Sequence, residues 1–105
     1  MFLAGQTAHG SDGRIVGGGV VGQFERALGN LLTSLRAAGG SPDDLVSLTV
    51  YLLDVDDYRA HARQIGEVWR RLAGPDYPAM AAVGVQRLWD PAAIVEVQGI
   101  AVVAA

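Results

Sequence analysis

One carboxylate stands alone in an apolar run. Glu96 lies between Val95 and Val97, in the stretch Ala93-Ile94-Val95-Glu96-Val97-Gln98-Gly99-Ile100. Burying a carboxylate is costly, so its presence in a strand-like run needs a reason. Two reasons stand open. Glu96 can pair with Arg87 across an adjacent strand, or it can serve a pocket as an acid that orients or activates water, its pKa raised by apolar walls. The other chemical groups are sparse. The two histidines, His9 and His61, are far apart and have no carboxylate at ligand spacing, whereas a catalytic zinc usually takes about three protein ligands. No metal or other cofactor is expected. Ser11, Ser34, Ser41 and Ser47 lack a G-x-S-x-G setting. Gly17-Gly18-Gly19 lacks the GxxxxGK[ST] pattern of a phosphate loop and reads as a flexible entry to a helix. With 0 cysteines there is no thiol nucleophile, disulfide or thiolate metal site.

These groups must be held by a small scaffold. The 105 residues suffice for a single domain, 1–105. Hydrophobic residues make up 50% of the chain, enough for a core, although a domain of this size gains from oligomerisation. Phe2 to Gly5 reads as a short strand. Ser11-Asp12-Gly13 is a turn, and Arg14-Ile15-Val16 is expected as a brief return strand. From Val20 to Ala38 the period is helical, with Val21, Phe24, Leu28, Leu31, Leu32 and Leu35 on one stripe and Gln23, Glu25, Arg26 and Asn30 largely off it. Gly39-Gly40 ends that helix, and Ser41-Pro42-Asp43-Asp44 forms one helical turn with Ser41 as N-cap.

Val46 to Leu53 is a strand, with Val46, Leu48, Val50 and Leu52 facing one way and Ser47, Thr49 and Tyr51 the other. Asp54 or Asp56 caps a second helix that runs to about Ala73, with a stripe of Tyr58, Ala62, Ile65, Trp69 and Leu72. Gly74-Pro75 ends it. Two strands follow, about Met80–Leu88 and Ala93–Val103, joined by Trp89-Asp90-Pro91-Ala92. This order predicts an α+β fold, a sheet with two helices packed on one face. The opposite face is expected to carry Val, Leu and Ala side chains that a symmetric partner would cover. Trp69 and Trp89 are expected mainly as packing residues, Trp89 at a core or rim or lining a cleft between subunits.

Charge narrows the function. The net charge is −3 and the pI about 5.1, which argues against nucleic acid as a main partner. No apolar run has the length of a membrane span, and the start Met-Phe-Leu-Ala-Gly-Gln lacks a signal peptide's basic region. A cytoplasmic protein without membrane partners is the expectation.

Tyr77-Pro78-Ala79-Met80, followed by Arg87-Leu88 and Glu96, resembles the signature region of the RidA (YjgF) family. Ala4-Gly5-Gln6 is similar to the family's Ser-Gly-Gln. Gln23, Leu28 and Asn30, then Ala37-Ala38-Gly39 with Asp44-Leu45-Val46, and then Thr49-Val50-Tyr51 with Asp57-Tyr58 resemble further family segments in order. The resemblance implies a chorismate-mutase-like α+β fold with a mixed sheet, a homotrimer with ligand pockets between subunits, and hydrolysis of small enamines or imines. It also implies an N-terminal strand bearing a pocket tyrosine, a segment expected to be largely missing from this sequence.

The departures bear on function. Met80 stands where the active deaminases have an arginine that grips the substrate carboxylate. Ala4 replaces a serine, Ala82 a cysteine and Ala62 an asparagine. Arginine forks onto a carboxylate, and methionine offers a soft apolar surface instead. Loss of such a clamp costs about 2–5 kcal/mol, a factor of roughly 30 to several thousand in affinity. Arg14, Arg59, Arg63 and Arg87 are the cations that could substitute. The implied site is catalytic Glu96 with Met80, Gly5, Ala82 and Tyr58 in contact with a small-molecule ligand. Gly5 would contribute its backbone. The expected function is hydrolysis or tautomerisation of a small enamine, imine or related carbonyl compound without the usual carboxylate grip. A non-catalytic small-molecule- or protein-binding trimer is the alternative. Endoribonuclease activity, a label some relatives carry, fits the acidic charge least.

Overall fold

The chain runs β1 (Phe2–Gln6), α1 (Gly19–Ala37), a 3-10 turn (Pro42–Asp44), β2 (Leu45–Leu52), α2 (Val55–Ala60), α3 (Ala62–Ala73), β3 (Ala79–Gly84) and β4 (Val95–Ala101) in a computed structural model that describes residues 1–104. The four strands form one mixed sheet in the order β1-β4-β2-β3. β4 is antiparallel to both β1 and β2, whereas β2 and β3 are parallel, linked by the α2–α3 crossover. The fold is α+β, as the element order predicts.

α1 is long because its apolar residues recur every three or four positions and find one surface to cover. Phe24, Leu28, Leu31, Leu32 and Leu35 are all buried over the sheet, each contributing roughly 1.5–3 kcal/mol by burial. The helix enters through Gly18 and Gly19, at φ 96° and 64°, where a side chain would be strained. It ends on a Schellman motif. Gly39 takes φ 92°, its N–H donates to Arg36 O (3.0 Å), and the Gly40 N–H donates to Leu35 O (2.9 Å). The Asp44 carboxylate then accepts from the Ser41 N–H at 2.8 Å and fixes the following turn.

Several expectations need correction. The stripe of α1 holds from Phe24 to Leu35, but at the helix start Val20 is buried and Val21 only partly so. Gln23 is not off the stripe but buried. Its Oε1 accepts from the Ile94 N–H (2.9 Å) and its Nε2 donates to Ala92 O (3.3 Å), so the loop before β4 supplies both partners. Arg14-Ile15-Val16 is no strand. Residues 10–16 turn on themselves, with the Gly10 N–H donating to Arg14 O and the Val16 N–H to Ala8 O, which leaves one bridge between His9 and Ile15.

The second helix is two helices. Asp54 caps α2 by accepting from the Asp57 N–H (3.0 Å). At His61 the backbone leaves helical geometry (φ −107°, ψ 20°), and the ring Nδ1 donates to the Asp57 carbonyl at 2.8 Å. α3 then buries Ile65, Val68, Trp69 and Ala73, while Ala62 is exposed.

β2 carries a register shift between Leu45 and Ser47 against β4, so Leu45 turns inward and Val46 outward. β3 stops at Gly84 rather than Leu88, after a last bond from the Val85 N–H to Leu52 O. β4 begins at Val95 rather than Ala93, because the Ala92 and Ala93 N–H groups donate to Asp90 in a turn.

The helices cover the sheet face carrying Leu48, Val50, Leu52, Val95 and Val97. The opposite face differs from expectation. Its centre is Ser47, Thr49, Tyr51, Glu96 and Gln98, with the Tyr51 hydroxyl donating to Gln98 Oε1 at 3.0 Å. Apolar groups remain at its margins, Phe2 with Ile100 and Val83. β3, at the sheet edge, is exposed along its whole length. Among the described residues, no helix is long and apolar enough to cross a membrane.

Candidate functional site

Glu96 occupies the outer face at mid-strand. It lies opposite Tyr51 on β2, and on its other side β1 bulges between Leu3 and Gln6. Gly5 sits in that bulge, and a Cβ there would run into Glu96 Oε2. Glycine is therefore needed for the carboxylate to lie down on the β1 backbone. Glu96 makes no ion pair and no side-chain hydrogen bond among the described residues, and the pairing with Arg87 does not occur. It is half-exposed, so water reaches it. The arrangement is an unpaired carboxylate, open to water and held against main chain.

Met80 is on the other face. It lies opposite Leu48 of β2, a core position, and its side chain borders a cavity of about 170 Å³ between α1, α2, α3 and β3. Phe24, Tyr58, Ile65, Trp69 and Tyr77 complete the wall, with Ala62 and Gly66 leaving the space. Trp69 stacks on Tyr77 (5.0 Å between centroids, 14° between planes), and Phe24 meets Tyr58 edge-on at 6.0 Å. The Trp69 Nε1–H donates to Asp76 O at 3.0 Å, which holds the ring in place. Burial, and secondarily the neighbouring Tyr77, pushes the Tyr58 pKa up to about 12, so its hydroxyl stays a neutral donor well above neutral pH.

The structure thus separates the residues that sequence grouped. Tyr58 and Met80 share the aromatic cavity. Ala82 lies on the same face of β3, two residues further along and opposite Val50. Gly5 and Glu96 sit together beyond the sheet. By strand spacing, Met80 and Glu96 are three residues along and two strands across, roughly 14 Å apart, and they project in opposite directions. No charged side chain lines the aromatic cavity. Of the candidate cations, Arg59 pairs with Asp56 (3.3 Å) and Arg63 with Glu67 (3.7 Å) on the helix exterior. Arg87 borders a different hollow, with Trp89. Arg14 belongs to the loop before α1, so none of the four takes the place of a clamp at Met80.

Sequence reasoning missed Phe24, Gly66 and Tyr77 as cavity residues and treated Trp69 as packing alone. The available signal was the pair Trp69 and Tyr77 on either side of the Gly74-Pro75 turn, which folds one ring back onto the other. Trp89 is not a core residue: it is 98% exposed at the tip of the β3–β4 connection. His9 contacts Gln6 (3.0 Å) and His61 contacts Asp57, at separate places.

Comparison with known proteins points the same way for fold and ancestry. Residues 1–103 match the family described as Endoribonuclease L-PSP. A RutC family protein of Pyrococcus horikoshii is 35% identical over 102 residues, covering 96% of this chain and 77% of the relative. The 2-iminobutanoate/2-iminopropanoate deaminase of Capra hircus is 33% identical over 103 residues, 97% of this chain and 72% of the relative. The crystal structure of RidA from the Antarctic bacterium Psychrobacter superposes with a TM-score of 0.84 at 29% identity, covering 97% of this chain and 79% of that one.

Proposed function

The chain belongs to the Endoribonuclease L-PSP family, which includes RutC and RidA proteins, and from that premise we propose that it hydrolyses a small imine or enamine whose recognition does not depend on a carboxylate clamp. The observation that carries this reading is the unpaired Glu96 carboxylate lying on Gly5. In the reaction, Glu96 accepts a proton from water as the oxygen bonds to the C=N carbon. That proton passes to nitrogen to give the carbinolamine. The carbinol hydroxyl then gives up its proton, which Glu96 relays to the amine, and the C–N bond breaks as the C=O bond forms, releasing ammonia and a carbonyl product. Such general acid–base assistance contributes about 10²–10⁴-fold.

The site is shared between copies of the chain in this reading. Met80 and Glu96 project from opposite faces of one sheet, so one ligand touching both requires a second copy alongside the exposed β3 edge. A homotrimer with a pocket at each junction meets that requirement. One observation favours a second reading, a trimer that binds small molecules without chemistry: the Met80 cavity holds no charged group to polarise a substrate.

The test is ammonia release from amino-acid imines generated in situ, with wild type, Glu96→Gln and Met80→Arg, alongside sedimentation. Glu96→Gln should lower kcat/KM by about 10²-fold or more. Met80→Arg should raise turnover of carboxylate-bearing imines. No turnover by any variant would favour the binding reading, and a monomer at assay concentration would remove the shared site.

A further inference from the structure

We propose that the half-open cavity lined by Phe24, Tyr58, Trp69, Tyr77 and Met80 is a binding site for an apolar group, a phenyl ring or a branched alkyl chain, carried by a neutral ligand. The inference deepens the reading above and rests on it for the reaction, but not for the binding itself.

The wall chemistry selects the ligand. Four aromatic rings, Ile65 and Met80 present apolar surface, and no lining residue is charged. A carboxylate or ammonium placed there would lose its water and gain no ion pair. The volume, about 170 Å³, is close to the roughly 150 Å³ of apolar cavities that bind benzene. Size therefore admits a phenyl ring or a four-carbon branch, and a methyl group would leave it mostly unfilled. The two rings that set its width are fixed, Trp69 by its bond to Asp76 O and by stacking on Tyr77.

Polarity appears only at the Tyr58 and Tyr77 hydroxyls, which make no side-chain hydrogen bond to any described residue. They are neutral donors for a carbonyl oxygen or imine nitrogen at the mouth, where Tyr77 is 56% and Met80 38% exposed. Space beside the Tyr77 hydroxyl comes from Gly66. A Cβ there meets only the Tyr77 hydroxyl, at 3.8 Å, so a larger side chain can grow into the void without striking backbone.

The experiment uses the whole chain and two readouts. The first is binding, followed by NMR at the Trp69 indole N–H and the Met80 methyl, with benzyl alcohol, isobutanol, benzoate and acetate as probes. Benzyl alcohol and isobutanol should shift both resonances, acetate should shift neither, and benzoate should bind at least about tenfold more weakly than benzyl alcohol. Gly66→Leu, which fills the cavity, should abolish the shifts while the remaining spectrum stays folded. Ala62→Leu fills it from the other helix position and should act alike. Equal binding of benzoate and benzyl alcohol, or probe shifts that survive both filling variants, would overturn the proposal.

The second readout is turnover of imines formed from the amides of phenylalanine, leucine and alanine, which carry no carboxylate. Preference for the first two, lost in Gly66→Leu, supports the same assignment. Binding without turnover of any imine leaves the cavity assigned and removes the hydrolase reading. Turnover that favours the alanine imine and ignores Gly66→Leu keeps the hydrolase and removes the cavity from recognition.

Discussion

Glu96 rests on Gly5: a methyl group at position 5 would clash with its Oε2. The contact is made across the β1–β4 bulge, where β1 gains a residue relative to β4 and presents bare main chain to the carboxylate. Gly5→Ala should therefore swing Glu96 away with little harm to the fold, since the obstructing atoms are the mobile end of a side chain. The expected outcome is a kcat/KM lowered by about 10²-fold, as for loss of the acid itself, with stability changed by less than about 1 kcal/mol. Activity equal to wild type would remove Glu96 from the reaction or show that its placement is not set by Gly5.

Gln23 is a buried staple between α1 and the loop before β4. Gln23→Leu keeps the volume and leaves the Ile94 N–H and the Ala92 carbonyl without partners. Each unsatisfied buried group costs about 1–3 kcal/mol. Urea unfolding should report a loss in that range, with the m-value unchanged. Stability within a few tenths of wild type would show that water replaces both bonds.

Tyr58 makes stability fall at alkaline pH. Its pKa is raised by burial to about 12 from an ordinary value near 10, so the folded state holds the proton more tightly than the unfolded chain. The contribution is fully present below about pH 10 and is lost as pH rises from about 10 through about 12. The sequence contains no lysine, so few other groups titrate in that window. Unfolding measured across it should show a steeper decline in wild type than in Tyr58→Phe. Parallel profiles would refute the assignment.

The Arg71–Glu25 ion pair joins α3 to α1, with side chains 58% and 48% exposed. Exposure of that degree lets water and salt screen the pair. A double-mutant cycle with Arg71→Ala and Glu25→Ala should give a coupling of no more than about 1 kcal/mol, smaller still at high salt. A coupling of several kcal/mol would mean that the pair anchors the helices.

Local signals were legible wherever one residue's backbone preference or one element's period decided the outcome. Gly39-Gly40 terminates α1 because a left-handed residue is needed there, and Asp54 caps α2 because its short carboxylate reaches the Asp57 N–H. The leucines of α1 face the core because every third or fourth position faces one way. Gln23 departs from its expected place for the opposite reason. A glutamine looks like a surface residue until a segment some 70 positions later in the chain arrives with a donor and an acceptor. The β3 boundary is not a local property, because a strand's length depends on the partner it pairs with, and β2 offers its last acceptor at Leu52.

By itself, the sequence determined the α+β element order, the core stripe of α1, the family and the identity of the single strand-borne acid, because periodicity, caps and ordered motifs are properties of nearby residues. Only the tertiary structure decided that Met80 and Glu96 look out from opposite faces, that Gly5 is the seat of the carboxylate, and that Phe24, Tyr58, Trp69 and Tyr77 line one cavity with Met80. Strand register sets the first, since a shift of one residue reverses a side chain's face. The other two depend on a bulge and on the stacking of three helices over one sheet, where residues distant in the chain become neighbours.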